Sequence, residues 1–264
     1  MSSRTGPLCN GSLSSFAFIP IVDFLNENGK AELEQLLDKH LPEAKDQTSQ
    51  AERSHYKFIR SVLDGPEAAS ASLFMAPVFT TLNNEHVGRG PKGPPGSYAS
   101  LCASLLHPFS TGSVHTSSAD PTQKPVVDPR YFGHPLDVEI FARHVQYLER
   151  IAETEPLKSF LKPEGRCNTA SNQDLQAAKD WLRASAISNW HPTSTCAMKA
   201  KDLGGVVNER LLVHGTSKLR VVDASVMPII PRGNPISSVQ AVAERAADLV
   251  EYLMRKMSET SWSY

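Results

Sequence analysis

The sequence predicts an α+β fold, in which an antiparallel sheet carries helices packed on one face. Strand-like and helix-like segments follow each other in mixed order, without the regular strand–helix alternation of a parallel sheet. No polar linker divides the chain, so we expect a single domain over residues 1–264. A hydrophobic share of 40% and a charged share of 21% are typical of a globular protein with a sizeable core.

Strands are predicted where short apolar runs lie between turn residues. The run at 72–82 contains Pro77, which removes a ladder donor and therefore indicates an edge strand or a bulge. Two further strands, 98–106 and 112–118, are joined by the turn at His107-Pro108. Two short strand-like pieces within 206–223 surround His214-Gly215, and the first strand-like segment of the chain is 12–25.

Helices are predicted where apolar side chains recur every three or four residues. The predicted helices are 30–41, 51–63, 137–154, 174–187 and 235–256. We expect the last one to bury a stripe on one face. Its members are Val239, Val242, Ala243, Ala246, Leu249, Val250 and Leu253.

A Gly/Pro-rich loop is predicted at 86–97, and residues 88–93 within it spell GxGxxG. In a dinucleotide site those glycines open a helix, but here Pro91, Pro94 and Pro95 stand where that helix would begin. We therefore expect a solvent loop, and no dinucleotide-binding unit in this sequence. The tail at 258–264 is expected either to be disordered or to pack on a partner.

Charge and composition exclude several classes of function. A net charge of −1 argues against nucleic acid, and the longest apolar runs are far shorter than the roughly 20 residues that span a membrane. The N-terminus lacks a secretory signal, so we expect a cytoplasmic protein. No metal is expected, since the four cysteines show no CxxC pair and no two histidines share a ligand spacing with a carboxylate.

Two residues near the C-terminus are candidates for catalysis. His191 can give or take a proton near neutral pH, and Pro192 holds it in an extended or turn conformation. A lone histidine is also compatible with a buried, hydrogen-bonded place in the core. Asn234 directly precedes Pro235, which is equally the pattern of a helix N-cap with proline at the first helical position.

Three segments in this order resemble the C-terminal signature of the glucose–methanol–choline (GMC) flavin oxidoreductases: NWHPTSTCAM at 189–198, VVDASVMP at 221–228 and GNP at 233–235. Residues 106–114 and 128–137 are similar to upstream motifs of that family, with Thr111 where arginine is usual. The resemblance implies an alcohol oxidation with FAD.

The resemblance assigns roles to individual residues. His191 would be the base that takes the hydroxyl proton, and Asn234 would hydrogen-bond the same oxygen. If a flavin is bound with a partner, Asp223 and Ala224 would touch its ribityl and phosphate region, and Pro235 would lie near its ring. The family's N-terminal dinucleotide unit is missing here, so we expect no cofactor on the isolated chain.

Three functions remain open. We prefer a flavin-independent acid/base enzyme, of isomerase, dehydratase or cyclase type, that acts on a small hydrophobic molecule through His191 and Asn234. The alternative is one half of a split or truncated FAD-dependent alcohol oxidoreductase that needs a flavin-binding partner chain. The third is a non-catalytic binding protein. A homo-oligomer is compatible with all three.

Overall fold

The computed structural model describes residues 15–41, 49–65, 67–76, 96–167 and 174–260. Several sequence predictions fall outside these residues. They are the start of the first strand at 12–14, the end of the second at 77–82, the GxGxxG stretch and the rest of the loop at 86–95, the side chain of Leu253, and the end of the tail at 261–264.

The main sheet has three antiparallel strands in the order β1-β2-β3. Phe74 in β2 faces Phe16 in β1 and Cys102 in β3. β2 is therefore the central strand of the described sheet, and our expectation of an edge was wrong for Ala71–Ala76; Pro77 lies outside the described residues. The strands are β1 Ser15–Ile19, β2 Ala71–Ala76 and β3 Ser100–Leu105; a separate antiparallel hairpin joins β4 Ser113–His115 to β5 Val126–Asp128.

Six α-helices are present in the described chain, and side chains cap two of them clearly. Asn26 accepts the amide of Gly29 at 2.9 Å, and Asp174 accepts that of Ala177 at 2.8 Å. The helices are α1 Glu27–His40, α2 Gln50–Leu63, α3 Pro135–Ala152, α4 Leu157–Phe160, α5 Leu175–Ser185 and α6 Ile236–Thr260. None of the helices in the described chain is both long and apolar enough to cross a lipid bilayer.

The chain groups into two compact units. Unit 1 comprises Met1–Thr48, Arg53–Gly112 and Pro129–Asn189, and unit 2 comprises Ser49–Glu52, Ser113–Asp128 and Trp190–Tyr264.

Unit 1 has two hydrophobic clusters. The larger contains Leu37 and Ile59 from the first two helices, Phe109, and Leu136 and Ile140 from α3. In the smaller, α3 packs on α5. Because α3 also packs on β2 and β3, one helix joins the sheet to the rest of the unit.

Several buried polar side chains in unit 1 are paired. Arg143 contacts Glu139 at 2.8 Å and Glu32 at 2.5 Å, and its guanidinium lies over the ring of Phe24. The carboxylate of Asp137 accepts backbone amides from the chain after β3, and His144 shares a hydrogen bond with Ser70. Such groups are tolerated in a core because each has a partner.

Unit 2 is mostly irregular and has one small cluster around Val207, Leu211, Val226 and Ala246. In α6, Ala246 and Leu249 are buried and Val239 and Val242 half-buried, as expected. Ala243 and Val250 were expected in the same stripe, but both are exposed. That part of the prediction was wrong, because the core of unit 2 is narrow and covers only half of the apolar face of α6.

Candidate functional site

His191 lies in an irregular segment that two backbone hydrogen bonds hold in place. The amide of Cys196 donates to the carbonyl of Ser225 at 3.0 Å, and that of Met198 to the carbonyl of Val226 at 2.8 Å. Trp190 and Ser194, on either side of His191, have φ of 57° and 74°. Left-handed backbone at non-glycine residues is strained and is found mainly where a site fixes it.

The segment that receives these bonds is a short 3-10 turn, Ala224–Val226, capped by Asp223. An Asp223 carboxylate oxygen accepts the amide of Ser225 at 2.8 Å and also its hydroxyl. Val226 is 1% exposed and anchors the turn in the core of unit 2. The buried valine and the two backbone bonds therefore fix Asp223 and the His191 segment together.

A loop behind this turn completes the support. A β-carbon on Gly205 would lie 1.9 Å from the carbonyl oxygen of Lys199, so only glycine permits this close backbone approach. His214 bonds the same carbonyl through Nε2 at 3.0 Å, which gives it a structural role. The side chain of Asn208 accepts the amides of Arg210 and Leu212 and closes the next turn.

The imidazole of His191 is half-buried and makes no hydrogen bond within the described residues. This is not the environment of a core histidine, which would be enclosed and bonded. Its two nitrogens are available to a substrate or to solvent, as a proton-transferring group requires.

The side chain of Asn234 is exposed and has no hydrogen-bond partner in the described chain. We expected an alternative role as the cap of the last helix, with Pro235 at the first helical position. Instead α6 begins at Ile236, and the carbonyl of buried Pro235 accepts the amide of Val239 at 2.8 Å. Pro235 thus occupies the cap position, and the amide group of Asn234 is left free.

His191 and Asn234 both lie in unit 2, and no hydrogen bond joins them. Two open surface clefts lie elsewhere in the described chain. One is formed by the end of α3 and the start of α4, from Tyr147 to Leu157. The other lies along α6, where Arg210, Arg245 and Tyr252 surround buried Leu249. Neither cleft is lined by the two candidate residues.

The residues expected to contact a flavin have exposed apolar side chains as sequence neighbours. Val222 and Ile236, next to Asp223 and Pro235, are 40% and 69% exposed, and Trp190, next to His191, is 63% exposed. The amides of Ser225, Val226 and Met227 all bond within the turn, so they are not free to hold a pyrophosphate. The expected phosphate contact of Asp223 and Ala224 therefore finds no donor among these three amides.

No group of three or more potential metal ligands occurs among the residues described, so the geometry offers no metal centre there.

Sequence reasoning missed the support of the site. The bonds from Cys196 and Met198 to the turn at Ala224–Val226 join backbone atoms, and backbone pairing between irregular segments leaves no side-chain signal. The pair Gly204-Gly205 was a readable sign of a tight turn, since Gly204 has φ of 74°. The exposed half of α6 could not be told from a buried stripe by periodicity alone.

The chain is similar in sequence to known oxidoreductases. A family model described as GMC oxidoreductase matches residues 108–243. A curated relative, "GMC oxidoreductase family protein Mala s 12" of Malassezia sympodialis, is 40% identical over 154 residues, which are 57% of this chain and 24% of that protein. "Dehydrogenase str4" of Strobilurus tenacellus is 35% identical over 207 residues, which are 73% of this chain and 32% of that protein.

Solved structures agree in fold. A formate oxidase superposes with a TM-score of 0.73 at 26% identity, and a fungal aryl-alcohol oxidase with 0.68 at 27%. The matched parts cover 96% and 94% of this chain, but only 40% of each of those chains. This chain therefore spans a quarter to two fifths of the proteins it matches.

Proposed function

The chain belongs to the GMC oxidoreductase family, and from that premise we propose that it supplies His191 and Asn234 to the FAD-dependent oxidation of a small hydrophobic alcohol. The flavin is held by a dinucleotide-binding unit that is not within this sequence. The observation that carries the proposal is the support of His191. A strained segment is fixed to the Asp223 turn by backbone bonds, while the imidazole itself has no partner in the described chain.

The residues of this chain handle the proton. The imidazole of His191 accepts the proton of the substrate hydroxyl, and the side-chain amide of Asn234 donates a hydrogen bond to the same oxygen. The chemistry that FAD supplies when bound is acceptance of the hydride from the carbinol carbon. The alcohol thus loses one proton and one hydride and becomes a carbonyl compound.

Binding of the flavin follows from the same geometry. Asp223 and Ala224 would touch the ribityl chain of FAD and Pro235 would lie near its ring, and the neighbouring side chains of Val222 and Ile236 are exposed. The pyrophosphate and adenosine would be bound by the other unit, since the turn amides of this chain are already used. We therefore expect little affinity of the isolated chain for FAD.

The names of the solved neighbours and relatives support an oxidoreductase without fixing the substrate. An aryl-alcohol oxidase, a formate oxidase and a dehydrogenase are among them. A small apolar alcohol suits a surface on which valine, tryptophan and isoleucine side chains are exposed near the candidate pair.

A flavin-independent acid/base reaction, such as isomerisation, dehydration or cyclisation, is a second candidate. It is favoured by the free imidazole of His191 together with a turn whose amides leave nothing for a pyrophosphate. The two open clefts described above are lined by other residues, so they provide no enclosing site for such a reaction.

The experiment joins the full 264-residue chain to the part of the Malassezia sympodialis relative that lies outside the match. We expect this fusion to carry FAD, seen as absorbance at about 450 nm. We also expect that absorbance to disappear when aryl or alkyl alcohols are added without oxygen. His191→Ala should lower the rate roughly 10³-fold with an unchanged melting temperature. His115→Ala, an exposed histidine of the same unit, is the matched control.

Three outcomes contradict the proposal. Turnover of a substrate by the isolated chain without flavin would favour the acid/base enzyme. A fusion that carries FAD and oxidises no alcohol would leave a non-catalytic role. Equal loss of rate in the His191 and His115 variants would show that His191 does not act on the substrate.

A further inference from the structure

The cleft along α6 is bordered by two arginines that no carboxylate of the described chain neutralises. Its volume is about 490 Å³, and it is lined by Arg210, Arg245, Asp248, Leu249 and Tyr252. Neither arginine makes an ion pair within the described residues, although Asp248 lies only three positions after Arg245 on the same helix. A guanidinium carries a permanent charge and five hydrogen-bond donors, so two of them at one cleft favour an anion there.

Three side chains of the cleft come from one side of α6. At about 100° per residue, Arg245, Asp248 and Tyr252 fall within about 60° of one another around the helix. The exposed apolar side chains of Ile236 and Met254 project from nearly the opposite side. The cleft is therefore separate from the uncovered apolar face of the helix, and neither candidate catalytic residue lines it.

Arg210 is held at the edge of the cleft by a closed turn. The side chain of Asn208 accepts the amides of Arg210 and Leu212 at 2.9 and 3.1 Å. Leu211 between them has a φ of 62°, in the left-handed region that a residue with a β-carbon seldom adopts. Behind the turn, the Nε of Arg220 donates to the carbonyl of Arg210 at 3.2 Å. The backbone that carries the Arg210 side chain is thus fixed, which lowers the entropy lost when a ligand binds.

The charge around the cleft is positive. Arg220 is also without an ion pair in the described ranges, and its bond to the backbone of Arg210 places a third guanidinium beside the cleft. Among the described carboxylates, only that of Asp248 belongs to the lining. Three positive charges therefore lie near one negative charge, in a chain whose net charge is −1. The local potential is opposite in sign to the net charge and attracts an anion.

The rest of the lining is apolar and aromatic. Leu249 is 8% exposed and forms the floor, and the ring of Tyr252 is 52% exposed at the side. Such a surface suits a ligand that joins a charged group to an apolar body. A cleft of about 490 Å³ also has the size of small-molecule sites, which are far smaller than the surfaces that bind macromolecules.

We propose that this cleft binds a small organic phosphate. The phosphate group lies between the guanidinium groups of Arg210 and Arg245, whose paired N–H donors match its oxygens. The apolar body of the ligand contacts Leu249 and Tyr252. A doubly charged phosphate matches two guanidinium groups better than a singly charged carboxylate does. The site is additional to the proposed oxidation and takes no part in flavin binding or proton transfer.

The test titrates phenyl phosphate into the full 264-residue chain and measures the heat of binding. Arg210→Gln and Arg245→Gln should each weaken binding roughly tenfold, because each variant loses a charge-assisted pair of bonds. Arg255→Gln is the matched control, since it removes the same charge from α6 at a residue that pairs with Glu251 and does not line the cleft. It should bind like the wild type, and all three variants should keep the wild-type melting temperature because these arginines are exposed.

Two further variants should change the affinity in opposite directions. Asp248→Asn removes the one carboxylate of the lining that repels a phosphate, so binding should tighten roughly threefold. Tyr252→Ala should weaken the binding of phenyl phosphate and leave that of inorganic phosphate unchanged, because only phenyl phosphate has a ring to contact the tyrosine.

Several results would overturn the inference. One is the absence of saturable binding of phenyl phosphate to the wild-type chain at about 10 mM. Another is an equal loss of affinity in Arg255→Gln, which would show that only the net charge matters. Tighter binding of benzoate than of phenyl phosphate would contradict the assignment to a phosphate. All of these measurements are made without FAD, so their outcome is independent of the proposed oxidation.

Discussion

Unit 1 and unit 2 differ in how they hold their residues in place. All seven buried polar or charged side chains of the described chain, and nineteen of its twenty-six buried hydrophobic ones, belong to unit 1. Eleven of the seventeen large hydrophobic side chains that stay exposed belong to unit 2. Unit 1 is thus stabilised by side-chain packing, whereas unit 2 depends on backbone bonds between irregular segments and on one narrow core.

The difference separates stability from chemistry. The candidate catalytic residues lie in the unit with little buried side-chain area of its own, and their position comes from main-chain hydrogen bonds. Substitutions in unit 1 should therefore change the free energy of unfolding, and those at the surface of unit 2 should change assembly and rate. Four measurements test this contrast.

The largest effect is expected from a core truncation in unit 1. Phe109 is 1% exposed and its ring contacts Tyr56 and His134, so Phe109→Ala should cost about 4 kcal/mol of stability. Val250→Ala in unit 2 should change the isolated chain by less than about 0.5 kcal/mol, because the side chain is exposed. Urea denaturation measures both, and similar losses would abolish the contrast.

Acid should destabilise unit 1 through His144. Burial lowers the pKa of this histidine to about 4, an effect that the nearby Asp23 carboxylate only partly offsets. The unfolded chain binds a proton on this imidazole more readily than the folded chain does. The free energy of unfolding is therefore highest above about pH 6.5 and falls by about 3 kcal/mol toward pH 4.

His144→Gln is the control for this effect, because glutamine can keep a hydrogen bond to Ser70 and does not titrate. The variant should show a shallower fall of unfolding free energy between pH 7 and pH 4 than the wild type. Parallel curves for the two proteins would mean that other groups cause the acid sensitivity.

Asp137 and Asp223 both accept backbone amides through a carboxylate, but the first is buried and the second is exposed. Asp137 is 2% exposed and accepts the amides of Phe109 and Ser110 at 2.7 and 2.8 Å, so Asp137→Ala should cost about 2 kcal/mol. Asp223 caps an exposed turn, and Asp223→Ala should cost about 1 kcal/mol. Thermal melts of both variants give the comparison, and the reverse order would contradict it.

The smallest effect is expected at Asn234. Its side chain has no partner in the described residues and does not cap α6, so Asn234→Ala should change stability by less than about 0.5 kcal/mol. A loss near 1 kcal/mol would restore the capping role. In the fusion with the flavin-binding unit, the rate of alcohol oxidation should fall much more than the stability.

Local patterns were sufficient to predict the five longer helices and four strands, but the strand pieces predicted at 206–223 were wrong, because that segment forms only isolated bridges. Leu33, Leu37 and Ile59 recur at helical spacing and are buried where α1 and α2 form. The short hairpin partner β5 was missed, because Val126 and Val127 are exposed and too few to give a strand pattern. The central position of β2 was missed because Pro77 was counted as part of the strand, whereas β2 ends at Ala76.

The motifs around His191, Asp223 and Asn234 make these residues candidates, and their roles stay predictions. The arrangement of their segments was not predictable, because the bonds from Cys196 and Met198 that join two of the segments are set by tertiary pairing. Whether the apolar positions of α6 are covered depends on what else is present, and no periodicity within the helix encodes that.

An uncovered helix surface has a cost for the cell. Chains with exposed apolar lines are recognised by chaperones and proteases, and they aggregate as their concentration rises. A copy of this polypeptide whose apolar line stays exposed is therefore expected to be degraded quickly, whereas a copy in which the line is covered persists. The line from Ile236 to Met254 would in this way match the abundance of the polypeptide to the supply of whatever shields it.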